Sequence, residues 1–125
     1  MKLNDPAIIA EVREAFDAYE AALLANDNVT LEGFFLNEPS IVRYGVADIQ
    51  HGYDEVQAFR ATQAPFERSL NRLVISTFGD DFATAWTQFL RDDCPGEIGR
   101  QSQVWLKTAD GWKIVAAHVS MMPDN

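Results

Sequence analysis

Two side chains far apart in the sequence have the types that proton transfer to a small anion would need, Arg43 and Tyr19. Arg43 interrupts the apolar stretch Ser40-Ile41-Val42-Arg43-Tyr44-Gly45, whose β-branched and aromatic residues favour a strand and whose glycine ends it. A guanidinium inside a buried strand must be paired or must meet an anionic ligand, and its planar fork matches a carboxylate in two-point geometry. At a strand edge the same head group would reach water instead. The pattern leaves both outcomes open. Tyr19 falls on an apolar stripe, so its ring should face inward while its hydroxyl needs a partner. That describes ordinary core packing as well as it describes a proton donor. A cation beside the phenol would make it the better acid.

The remaining candidates are weaker. His118 and Ser120 alternate with Ile114 and Ala116, a spacing that predicts one shared face of a strand. On a concave face they would be substrate-pocket residues, and on a convex face they would be surface or interface residues. His51 stands beside Gly52 in a polar stretch and is expected to be exposed. Two histidines and no acidic cluster at ligand spacing give no metal site, and no nucleophile elbow or nucleotide-binding glycine motif is present. No cofactor is implied. Cys94, in Asp93-Cys94-Pro95-Gly96, reads as a turn residue and not a nucleophile. Trp86 and Trp105 are expected in the core. Gln101 and Gln103, which share a face with Trp105, are expected to be solvated or to line a dimer surface.

These residues need elements to hold them. Asp5-Pro6 is a cap followed by proline at the first helical position, and Ile8, Val12, Phe16, Tyr19 and Leu23 then recur at helical spacing. That helix should stop near Asn26-Asp27-Asn28. A short second helix carries Leu31, Phe34 and Phe35 and ends before Pro39. After the Arg43 strand, residues 47–52 read as a loop and 53–62 as a third helix with Val56 and Phe59 inward. Four β segments follow, near 67–78, 82–91, 98–108 and 112–121, joined by Gly79-Asp80-Asp81, a turn around Cys94, and Ala109-Asp110-Gly111. Helices before a continuous antiparallel run indicate an α+β fold, with N-terminal helices packed on a curved, mainly antiparallel sheet that leaves a concave pocket. No linker or repeat divides residues 1–125, so a single domain is expected.

Composition bounds the function. The 125 residues are 47% hydrophobic, with three Trp and eight Phe, enough for a core. A net charge of −9, from 19 acidic and 10 basic residues, argues against nucleic acid as a partner. An anionic substrate would therefore need a local positive site. A single cysteine, no signal-peptide pattern and no membrane-length apolar run predict a cytoplasmic protein with no membrane partner.

The element order resembles the cone-shaped nuclear transport factor 2-like superfamily, which includes polyketide-cyclase-like and ketosteroid isomerase-like enzymes. Several segments together resemble one branch of it, the AtzH-like proteins of cyanuric-acid catabolism. They are Phe16-Asp17-Ala18-Tyr19-Glu20, Arg43-Tyr44-Gly45, Gly52-Tyr53-Asp54, Ala58-Phe59-Arg60, Gly99-Arg100-Gln101-Ser102-Gln103, Gly111-Trp112 and Ala116-Ala117-His118-Val119-Ser120. The resemblance implies a hydrolase, a decarboxylating amidohydrolase independent of metal and cofactor, that converts 1,3-dicarboxyurea to allophanate. It implies Tyr19 and Arg43 as the catalytic pair; His118 and Ser120, were their face the concave one, would orient the urea carbonyl. It further implies a homodimer and functional association with an amidase and its small subunit. The competing expectations are a non-catalytic small-anion binding partner of that amidase, and an isomerase or cyclase for a larger apolar ligand.

Overall fold

The computed structural model describes residues 1–125. Its first helix, α1 (Pro6–Leu24), starts where the sequence requires: Asp5 accepts a hydrogen bond from the Ala7 amide at 2.9 Å, and proline fills the first helical position. Its apolar stripe buries Val12, Phe16, Tyr19, Ala22 and Leu23. Asn26 then takes a left-handed φ of 53°, which turns the chain. Asp27 caps α2 (Asn28–Glu32) by accepting from the Thr30 amide. Phe34 and Phe35 lie just beyond that short helix, and Phe35 bridges to Ile114.

Strand β1 (Val42–Tyr44) turns into β2 (Ile49–His51), within the stretch expected to be a loop. Its three residues pair with all of β1, an arrangement too short to leave a strand pattern in the sequence. Helix α3 (Tyr53–Ala61) begins at Gly52, whose φ is 90°. A methyl carbon on Gly52 would stand only 3.2 Å from the Pro39 carbonyl oxygen, so both the backbone and the space require glycine. Then follow β3 (Arg68–Thr77), β4 (Phe82–Arg91), β5 (Glu97–Thr108) and β6 (Gly111–Pro123). One six-stranded sheet results, ordered β2-β1-β6-β5-β4-β3, antiparallel throughout except where β1 runs parallel to β6. No helix is long and apolar enough to cross a membrane.

The core lies between the helices and the inward sheet face, where Phe16, Val56, Trp105 and Ile114 have no solvent exposure. Burying Phe16 alone stabilises the fold by roughly 1.5–3 kcal/mol. Trp105 satisfies its indole N–H on Gln103 Oε1 at 3.1 Å. Trp86, expected in the core, is instead 58% exposed. Ala83, Ala85, Thr87 and Phe89 take the inward positions of β4, so period-two alternation sends Trp86 outward.

One irregularity decides which β6 residues face the helices. Trp105 pairs with Ile114 but Val104 pairs with Ala116, so Val115 is an extra residue in β6. A one-residue bulge reverses the alternation that follows it. Ile114 therefore points inward, as do Ala117 and Val119, while Ala116, His118 and Ser120 point outward. The single face expected for Ile114, Ala116, His118 and Ser120 is thus corrected.

Candidate functional site

Across the inward face, paired positions on β2, β1, β6, β5 and β4 place Gln50, Arg43, Ala117, Gln103 and Ala85 in one row. Alanine at 117 stops short between two long polar side chains. Tyr19 from α1 and Phe59 and Arg60 from α3 close over that space, leaving a cavity of about 110 Å³. Pockets for drug-sized ligands run to roughly 300–1,000 Å³, so this one suits a much smaller molecule.

Arg43 is 8% exposed, which excludes the water-reaching edge position. Its Nη1 donates to Asp48 Oδ1 at 2.6 Å and to Gln50 Oε1 at 2.8 Å, and Gln50 Nε2 donates to the same Asp48 oxygen at 3.0 Å. The Gly45–Asp48 turn brings the acid back onto the arginine, and Gly45 is needed there because a methyl group would collide with the Asp48 carboxylate. Burial pulls Asp48 toward its neutral form, but the hydrogen bond from Gln50 and the Arg43 charge outweigh it and hold the carboxyl below its ordinary range. The pair uses one nitrogen only. Nε and Nη2 of Arg43 have no protein acceptor and the side chain lines the cavity.

Other cations in the wall are matched differently. Arg68 makes a two-point pair with Glu20, at 2.6 and 2.9 Å, and donates to Gln101 at 3.1 Å. Arg91 forks onto Asp93, which falls to a pKa of about 2 through that hydrogen bond. Arg60 is 5% exposed, and none of its nitrogens meets a protein acceptor. Gln101 Nε2 is likewise buried without an acceptor. Unused donors therefore outnumber acceptors around the cavity, the arrangement expected of a receptor for an anion.

Tyr19 is 3% exposed and packed edge-on against Phe34, Phe35 and Trp105. Its ring is held by core contacts while the hydroxyl, with no protein partner, borders the cavity. A phenol so placed can exchange a proton with a bound molecule.

Tyr19 and Arg43 thus line one cavity. His118 and Ser120 do not join them: they border a wider open groove of about 570 Å³ on the opposite face, where Ser120 Oγ accepts from Arg100. That groove is larger, but its floor is open and Gln101 alone of the buried unpartnered groups reaches its lining. Gln101 and Gln103, expected at a solvated or dimer surface, are buried and line the cavity. His51 is exposed as expected, near Tyr44. Burial and the neighbouring Asp93 carboxylate push the Cys94 thiol up, away from an activated thiolate. No group of three His, Cys, Asp or Glu side chains is spaced to hold a metal.

Sequence reasoning misses Asp48 and Arg60. Arg60 follows Val56 by four residues, so the same helical face that buries Val56 must bury the arginine. Asp48 is signalled only by the hairpin, which leaves no strand pattern of its own.

The AtzH-like family model matches residues 1–125. A crystal structure of a cystatin-like fold protein from Burkholderia xenovorans is 46% identical, covering 100% of this chain and 99% of that one, with a TM-score of 0.95. A protein of unknown function from Pectobacterium atrosepticum is 42% identical over 96% and 94% of the two chains, with a TM-score of 0.92. An NTF2-like protein from Pseudomonas putida, 16% identical over 93% and 87% with a TM-score of 0.78, shares the fold. No curated protein matches the sequence. With its full length matched and its helices packed on a curved NTF2-like sheet, the chain belongs to the AtzH-like family.

Proposed function

We propose that this protein is a decarboxylating amidohydrolase for a small carboxylated urea, converting 1,3-dicarboxyurea to allophanate. The observation that carries this reading is one small cavity bounded both by the unpartnered edge of Arg43 and by the free Tyr19 hydroxyl. Arg43 binds one substrate carboxylate through Nε and Nη2 while Asp48 and Gln50 fix the opposite nitrogen. The bond between a urea nitrogen and its carboxyl carbon then breaks, and its electron pair stays on nitrogen. Tyr19 delivers the proton that nitrogen accepts, the carbon leaves as carbon dioxide, and water returns a proton to the phenolate.

An isomerase or cyclase for a larger apolar ligand fits the cavity less well. It would need more volume and a carboxylate base, whereas the carboxylate in this wall, Asp48, is already occupied by Arg43. The same reading includes a homodimer through the outer sheet face, where Val74 and Trp86 are more than half exposed, and a functional association with an amidase and its small subunit. Incubating the purified protein with freshly generated dicarboxyurea should yield allophanate faster than the spontaneous reaction. Stabilisation by short dicarboxylates with no allophanate formed would identify a binding module instead.

A further inference from the structure

The group in this cavity with the least structural explanation is Arg60. Its guanidinium is buried, its Nε is sealed from solvent, and no carboxylate, carbonyl or amide oxygen accepts from it. The other arginines in the wall each have a carboxylate: Asp48 for Arg43, Glu20 for Arg68 and Asp93 for Arg91. One cation is therefore left without a counterion in a low-dielectric space, an arrangement that costs stability unless something else supplies the charge. Burial pulls the Arg60 pKa down; Tyr19 offsets this in part, while the Arg43 and Arg68 charges add to the strain.

From this geometry we infer that Arg60 is a second carboxylate anchor, so that the cavity holds a short dicarboxylate between Arg60 and the free edge of Arg43. Both guanidinium groups lie against the Phe59 ring, Arg43 at 4.8 Å and Arg60 at 5.5 Å from its centroid. Their central carbons are thus no further apart than those two distances laid end to end. A chain with three atoms between its carboxyl carbons holds them roughly 5 Å apart by standard bond lengths. It therefore reaches both guanidinium groups by lying across the gap between them, one carboxylate facing each, and not end-on along the line that joins them. The inference rests on the proposed substrate class but not on its turnover, since an inert dicarboxylate of the same spacing should bind in the same way.

Glutarate and butyrate, which differ by one carboxylate, make the test. Isothermal titration of the full chain at low ionic strength should show glutarate bound at least about tenfold more tightly than butyrate, the scale of one hydrogen bond to a charged group. Arg60→Met should abolish that preference, and Arg60→Lys should restore part of it. Without ligand, Arg60→Met should melt about 3 °C or more above the parent protein, because it removes an uncompensated buried charge. A structural arginine would give the reverse. Unchanged glutarate preference in Arg60→Met, or a lower melting temperature together with no rescue by lysine, overturns the assignment. Glutarate binding that depends on Arg60 without any allophanate production would leave this anchor standing and defeat only the proposed reaction.

Discussion

Replacing Asp48 by asparagine separates what the acid does for the fold from what it does for a ligand. Asp48 is three-quarters buried and Arg43 nine-tenths, so the pair is shielded but not sealed. Breaking a fully buried pair costs about 3–5 kcal/mol; asparagine keeps an acceptor for Arg43 and the site is partly wet, so a loss of about 1–2 kcal/mol is expected. In a domain of this length that lowers the melting temperature by about 3–8 °C. The effect on an anion has the opposite sign. A carboxylate on the Nε–Nη2 edge of Arg43 would sit roughly 6 Å from the Asp48 carboxylate, and repulsion there amounts to about 0.7–2.8 kcal/mol for effective dielectric constants of 80 to 20. Glutarate should therefore bind roughly three- to a hundredfold more tightly to Asp48→Asn. Differential scanning fluorimetry and titration calorimetry on the same preparations read both quantities. A variant that is destabilised and also binds glutarate more weakly would show that Asp48 holds Arg43 in its binding pose, and that the repulsion argument is wrong.

Other perturbations follow from the same geometry. Gly45→Ala should reproduce the stability loss of Asp48→Asn, because its methyl group displaces the Asp48 carboxylate from Arg43; combining the two should cost little more than either, measured by denaturant unfolding. Gly99→Ala drives a methyl group into the Phe89 ring and should cost about 1–3 kcal/mol by the same measurement. Because folding depresses the Asp48 pKa, its stabilisation is complete above the unfolded carboxyl value and fades as pH falls through the lower folded value. The gap in melting temperature between the parent protein and Asp48→Asn should thus be constant above about pH 5 and shrink below about pH 4. His118→Ala and Ser120→Ala, on the outer face, should leave steady-state turnover of dicarboxyurea within about twofold.

Much of this arrangement is legible in local sequence. The Asp5-Pro6 cap, the stripe through Tyr19 and the four long β segments each depend on neighbours within a few residues, and α1 and β3 to β6 appear close to their expected bounds. The departures are decided by long-range pairing. The bulge at Val115 cannot be seen in β6 alone, since it appears only when Trp105 and Val104 choose their partners, yet it moves His118 and Ser120 to the other face. Gln101 and Gln103 are polar and look like surface residues; their burial makes sense only beside Arg68 and Trp105, which satisfy them in part. Arg43 is recognisable as unusual, but the choice between water and an anion depends on α3 covering it. Arg60 has a clear helical register, yet an arginine on an apolar face reads as the edge of the stripe and not as a member of it.

Steady-state kinetics of dicarboxyurea turnover by the parent protein and Tyr19→Phe, alongside glutarate binding to both, bears on the cooperation of phenol and cation. Removing one oxygen from a ring held by Phe34, Phe35 and Trp105 should leave the cavity intact. If Tyr19 supplies the proton, kcat should fall by about 10²–10⁴-fold while glutarate affinity changes little. Equal kcat in the two proteins would contradict a proton-donating role for Tyr19.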